Sequence, residues 1–352
     1  MTRPAVQPWS SHLMALRLEI LFSAVIPIAF TLLVMLTTGL DFSLALITVF
    51  LPTQIFAAAV VGYRHYRGRG IKDAILLVFV FFLSAMVLVL LLSVLISVIA
   101  QGAATLSLHF IYQNNTWVST TTSLEYGGVG HAIVGTLLIV LLTTIIAVPL
   151  GIAMAVYLTQ SQAKHLNLVR TVTQALSGLP SVVAGLFILA IIQLTPLERS
   201  GLAGSLALFP LMLPTVARVA EESLRLVPAD LRSAALALGA PNFRAFFQVI
   251  LPAAKSGIIT ALLLGLARVV GETAPLILTI NANNGTNWNP FAGGIAALPT
   301  YVYSYLGSGY TTSQARAWGG ALVLLIVVGI LFATARVLTR NKSTKANRKA
   351  SK

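Results

Sequence analysis

Between Ala74 and Ala100 the chain carries no Asp, Glu, Lys or Arg, and almost every side chain is apolar. A helix needs roughly 20 apolar residues to cross a bilayer core about 30 Å thick, so this stretch forces a membrane or deep-core setting. Seven further windows reach that length, near 18–38, 44–63, 132–158, 172–194, 203–220, 256–280 and 317–338. Pro180, Pro210 and Pro214 fall in the fifth and sixth of the eight, where neighbouring helices can satisfy the freed carbonyls. Only 9% of the 352 residues are charged and 57% are hydrophobic, against about 25% charged in an ordinary soluble domain. A soluble enzyme, a DNA-binding module and a disordered protein are excluded. The sequence predicts an all-α polytopic membrane protein with about eight transmembrane helices.

The net charge of +14 is no nucleic-acid footprint, because the basic residues lie between and beyond the apolar stretches. With both termini placed in the cytoplasm, 20 of the 23 Lys and Arg fall on the inside, as the positive-inside rule requires. They stand before the first span (Arg3, Arg17), in 64–73, 159–170 and 218–255, and from Arg336 to Lys352. Arg199 and Arg316 remain outside, and Arg268 lies within a span. The first apolar run is too long for a usual signal peptide, and Thr37-Thr38-Gly39 is a poor cleavage site, so it is read as a retained helix. Residues 1–73 read as an N-terminal transmembrane hairpin extension with its basic loop, and 74–338 as the main transmembrane domain. Residues 339–352 read as a basic cytoplasmic tail, disordered over 340–352 and touching anionic lipid.

There is no cysteine, which excludes disulfides and thiolate chemistry. The five histidines show no ligand spacing, and no metal site is expected. No phosphate-cradling G-x-x-x-x-G-K loop occurs. No residue is assigned a catalytic role, so the energy that drives the chain comes from a gradient or a partner.

The segment 221–257 is too long for a simple turn. Pro228 and Asp230 suit a helix start, Leu231, Ala234, Ala235 and Leu238 recur at helical spacing, and Gly239 offers a left-handed stop before Pro241. Such a helix either docks into another protein's groove or lies on headgroups. In the seventh span, Arg268 and Glu272 stand at i and i+4 beside Gly271, Thr273 and Pro275. A charge at the bilayer centre costs about 2.5–3.5 kcal/mol on insertion scales, so two of them need a reason. They line an anion pathway, form a self-neutralising pair that locks helices, or relay protons through Glu272.

Two motifs carry a family resemblance. Ser233-Ala234-Ala235, three residues to Gly239, nine to Val249, then Ile250-Leu251-Pro252 resembles the cytoplasmic loop of ABC importer permeases. Ser233 departs from the usual Glu and Val249 from the usual Ile. Ala267-Arg268-Val269-Val270-Gly271-Glu272-Thr273 resembles the signature of phosphate importer permeases, and Ala274-Pro275-Leu276 points to one of their two types. Ile133–Leu137, Pro149–Ile152, Gly178–Phe187, Ser200–Gly204 and Leu213-Pro214 agree, so the likeness spans about 125–338. It does not reach the first two spans.

The resemblance implies a six-helix type I importer core whose loop 221–257 holds a coupling helix seated in the ATPase. It implies a permease subunit of an ATP-driven phosphate importer in the bacterial cytoplasmic membrane, not an enzyme. The implied partners are a second homologous permease, an ABC ATPase dimer and an extracytoplasmic phosphate-binding protein. The chain itself binds no cofactor; ATP and Mg belong to the ATPase. Arg268, Glu272 and Thr273 are assigned to the substrate pathway, and Ser233, Ala234, Ala235, Gly239 and Pro241 to ATPase coupling. A permease for sulfate or molybdate, a gradient-driven symporter and a non-transporting sensor are the alternatives. Arg218, Glu221, Glu222 and Arg225 read as a solvated helix end with local ion pairs, with a contact to the ATPase as the alternative, and Trp288, Tyr301, Tyr303 and Tyr305 as interfacial anchors.

Overall fold

A computed structural model describes residues 13–161 and 164–350, and among these every regular element is helical. Arg3 and Lys352, counted for orientation, lie outside the described residues. The chain forms two compact units, residues 1–95 and 96–352.

In the first unit, α1 (Leu13–Thr38) packs against the π turn Leu46–Phe50 that leads into α2 (Leu51–Thr105). The basic loop expected at 64–73 is a sharp helical corner instead. Arg67, at φ 52 and ψ −141, is its one non-helical residue.

The second unit is built around α6 (Gly201–Arg225), the most buried of the long apolar helices. Ser200 caps it, its hydroxyl accepting from Ala203 N at 3.4 Å and satisfying a free N–H of the first turn. On one side lies α3 (Gly130–Gln160). Ser205 Oγ donates to Ile139 O at 3.0 Å, and a Cβ on Gly151 would stand 2.9 Å from Val216 Cγ1. On the other side lies α8 (Lys255–Val270), whose Gly257, Ala261 and Gly265 repeat every fourth residue. A Cβ on Gly265 would stand 2.7 Å from Val216 Cγ2. Small residues let the backbones close in where the apolar solvent gives no hydrophobic drive between helices.

Among the described residues six helices are long and apolar enough to cross a membrane singly, and up to eight if each of two bent pairs is one span. The fifth span, expected as one helix over 172–194, is instead α4 (Leu166–Ser177) and α5 (Ser181–Leu194), bent by 101°. Pro180 is extended at φ −60 and ψ 134, and a residue before proline is pushed out of the helical region. Composition could not show this, because the two arms taken together are apolar enough to read as one span. The seventh span also breaks, with α9 (Ala274–Thr279) following α8 after three non-helical residues.

Beyond the last loop come α10 (Leu298–Leu306) and α11 (Thr311–Ala350). The backbone of α11 stays helical to Ala350 where a disordered tail was expected from 340; Lys and Arg are good helix formers. Its side chains from 338 onward lie outside the described residues.

Candidate functional site

The break after α8 decides the geometry of the charged span. The helix ends at Val270, Gly271 follows, and Pro275 opens α9. A continuous helix would drive the Pro275 ring into the carbonyl of Gly271, so the segment 271–273 leaves helical pairing. Glu272 N still donates to Val269 O at 3.2 Å. The i, i+4 spacing therefore no longer places Arg268 and Glu272 on one helical face, and among the described ion pairs none joins them. The self-neutralising pair is replaced by another arrangement. Arg268 is exposed and its Nη1 lies 3.4 Å from Thr215 Oγ1 on α6, while Glu272 and Thr273 are half-buried.

The stretches that carried the family resemblance meet around α9. A Cβ on Gly185 of α5 would stand 2.7 Å from Pro275 Cα. A Cβ on Gly204 of α6 would stand 2.9 Å from Ile280 Cγ2 and 3.1 Å from Leu276 Cδ2. The segment bearing Glu272 and Thr273 is thus anchored directly behind a tight contact.

The loop after α6 folds as its residues demand. Pro228 precedes α7 (Ala229–Ala237), and Asp230 sits in its first turn. Gly239 takes φ 81, where Ala240 N reaches Ala235 O at 3.1 Å and Gly239 N reaches Leu236 O at 2.9 Å. That is a left-handed helix stop. Pro241 is extended at φ −68 and ψ 154, and starts the next helical piece. Of the apolar stripe only Ala235 is buried; Ser233, Ala234 and Leu231 face outward, and Leu238 is 88% exposed. The helix offers its stripe to something other than its own chain.

At the far end of α6, Glu221 Oε1 accepts from Arg225 Nη2 at 2.7 Å and Nε at 3.1 Å, and from Arg170 Nη2 of α4 at 3.4 Å. Arg218 Nε lies 3.5 Å from Glu222 Oε1. The expected local pairs are present, but Arg170 makes the cluster a bridge between two helices. It lines a cleft of about 620 Å³.

Sequence reasoning missed the structural role of Arg316, which is fully buried. Its guanidinium donates to the carbonyls of Thr122 (3.0 Å), Ser123 (2.8 Å) and Tyr126 (2.9 Å). Thr312 and Ser313 hydroxyls both donate to Thr120 O. The available signal was one of only two Arg expected outside, against the charge asymmetry, with Thr312 and Ser313 just before it. Tyr301 and Tyr305 also need correction as interfacial anchors. Buried Asn115 donates to Tyr305 Oη at 2.7 Å and to Tyr301 Oη at 3.4 Å, and the two rings stack at 4.4 Å. Tyr303 and Trp288 remain exposed.

Long apolar helices, a broken span that carries a sequence motif and an exposed helix in the loop after α6 are the features of a multi-pass membrane protein. Residues 147–343 match the family described as binding-protein-dependent transport system inner membrane component. The relatives are consistent in type. The phosphate transport system permease protein PstA 1 of Mycobacterium tuberculosis (strain CDC 1551 / Oshkosh) is 42% identical over 207 residues, 58% of this chain and 68% of the relative. PstA of Mycobacterium leprae is 39% identical over 265 residues, 74% and 86% respectively. PstA of Pasteurella multocida is 33% identical over 281 residues, 79% and 98%. The chain belongs to this family of importer permeases and, within it, to the PstA type. It is a multi-pass membrane transport subunit and not itself an enzyme. Its family works with a partner permease, an ATPase and a substrate-binding protein.

Proposed function

We propose that this chain is the permease of an ATP-driven inorganic phosphate importer and that Arg268, Glu272 and Thr273 line its anion path. The observation that carries the reading is the state of Arg268: an exposed guanidinium inside a span, touching a hydroxyl and not spent on a carboxylate. A guanidinium presents five N–H donors in a planar fork that fits a tetrahedral oxyanion. Glu272, on the non-helical segment, competes for that fork and so limits how long the anion stays. Thr273 adds a hydroxyl donor. The tight contact at Gly185 holds this segment in register.

Ser233, Ala234, Ala235, Gly239 and Pro241 form the coupling element, whose exposed stripe meets the ATPase. The specific partners are a second homologous permease, with which the chain forms the path, a pair of ATPase subunits and an extracytoplasmic phosphate-binding protein. ATP and Mg sit on the ATPase, and this chain holds no cofactor. Both termini lie in the cytoplasm of a bacterial cell, and residues 1–73 add a transmembrane hairpin to the permease domain.

The test is radiolabelled phosphate uptake at low micromolar concentration in cells lacking the chain and in cells with it restored. Uptake that needs the chain, ignores excess sulfate and survives an uncoupler while ATP is maintained is the expected result. Uptake unchanged by deletion overturns the phosphate reading in favour of another oxyanion or a sensor role, and collapse on uncoupling favours a symporter.

A further inference from the structure

The cleft between α4 and the end of α6 is lined by none of Arg268, Glu272 and Thr273. It is lined by Arg170, Thr173, Gln174, Arg218 and Arg225, with Glu221 and Glu222 beside them. Its volume of about 620 Å³ falls in the range of small-ligand sites, roughly 300–1,000 Å³. The three arginines bring about fifteen N–H donors against four carboxylate oxygens, so the carboxylates cannot occupy them. Arg218 and Glu222 are both largely exposed and 3.5 Å apart, a pair that solvent and salt readily open. Counting the five charged side chains, the cleft is net positive.

Helix α4 places this cleft at a membrane surface. Leu166, Val169, Thr173 and Leu176 turn toward the protein and Leu168 (62% exposed) and Val172 (45% exposed) turn away, while Asn167, Thr171 and Gln174 form a polar strip. Its 101° bend from α5 lays it across the direction of the span it adjoins. A helix with an outward apolar stripe beside a polar strip lies in the headgroup layer, and basic pockets between spans on the cytoplasmic side take phosphate-bearing headgroups.

We infer that this cleft is a binding site for a phosphoryl oxyanion at the inner surface, held by Arg170 and Arg225 with Arg218 at its mouth. Two sources share that chemistry: the headgroup of an anionic phospholipid and free inorganic phosphate. The inference rests on the orientation proposed above, with both termini in the cytoplasm, and on no role for Arg268.

The experiment uses the complete transporter containing this chain. Retained phospholipid is counted by native mass spectrometry after extraction in mild detergent. Binding of radiolabelled inorganic phosphate is measured in phosphatidylcholine nanodiscs, in an Arg268→Leu background, so that binding in the path does not contribute. Arg170→Gln with Arg225→Gln is expected to lower phosphatidylglycerol or cardiolipin retention, or phosphate binding, about tenfold. The arm that falls identifies the source. Arg170→Lys with Arg225→Lys keeps the charge and is expected to retain most of the binding. Glu222→Gln adds one net positive charge and is expected to raise binding about threefold. Equal binding by the unaltered complex and the double Gln variant in both arms overturns the inference. Where that variant fails to assemble with the ATPase, the absence of any gain in Glu222→Gln overturns it instead. Failure of the phosphate-importer reading shows separately, as uptake by unaltered cells that does not need the chain.

Discussion

Gly185 and Pro275, ninety residues apart in sequence, meet so closely that a Cβ on Gly185 would stand 2.7 Å from Pro275 Cα and 3.2 Å from its carbonyl oxygen. The contact is with backbone, which cannot rotate aside. Overpacking of this kind costs about 1–3 kcal/mol. Gly185→Val is expected to lower the melting temperature of the complex and to cut phosphate uptake several-fold. Thermal unfolding and uptake measured on the same preparation check it.

Arg268→Leu is expected to abolish uptake, a loss of at least about tenfold, with co-purification of the ATPase unchanged. Arg268→Lys keeps the charge but not the planar fork, and recovers only a small part of the flux. Normal uptake in the Leu variant sinks the pathway role.

Gly239 at φ 81 has open space around it, so a substitution there tests backbone conformation and not crowding. A non-glycine residue in the left-handed region costs about 1–2 kcal/mol, more when β-branched. Gly239→Val is expected to weaken ATPase association or to uncouple ATP hydrolysis from uptake. Co-purification and substrate-stimulated hydrolysis report the two outcomes, and wild-type behaviour in both counts against the coupling role.

Arg316→Gln removes up to three charge-assisted hydrogen bonds to the carbonyls of Thr122, Ser123 and Tyr126, each worth about 1.5–3 kcal/mol. The expected result is a lower melting temperature and new protease cleavage within 119–126, while Arg268-dependent binding of phosphate by the folded fraction persists. Limited proteolysis followed by peptide mapping locates the cut.

How far the sequence could be read divides along local lines. The left-handed stop at Gly239, the helix starts at Pro228 and Pro241 and the positions of most spans follow from short-range rules, since each is set by a residue and its immediate neighbours. The 101° elbow was hidden because hydropathy averages across Leu179-Pro180 and merges the amphipathic α4 with the apolar α5. The separation of Arg268 from Glu272 was hidden for a related reason: a spacing of four implies one face only while the helix continues, and Gly271 with Pro275 ends it. Burial of Arg316 depends on carbonyls about 190 residues away, which no window along the chain contains. The cleft at Arg170 likewise joins residues of two helices, and only folding brings the basic one to Glu221.

The side chain of Val216 stands between two glycines, Gly151 on α3 and Gly265 on α8. One isopropyl group thus serves as the common bearing of three spans. A push received by α6 at its Arg225 end is delivered to both neighbours at once, with no soft layer to absorb it. A shaft seated this tightly moves its housing with it, so the stroke that opens one side of the path has to carry all three helices as a single lever.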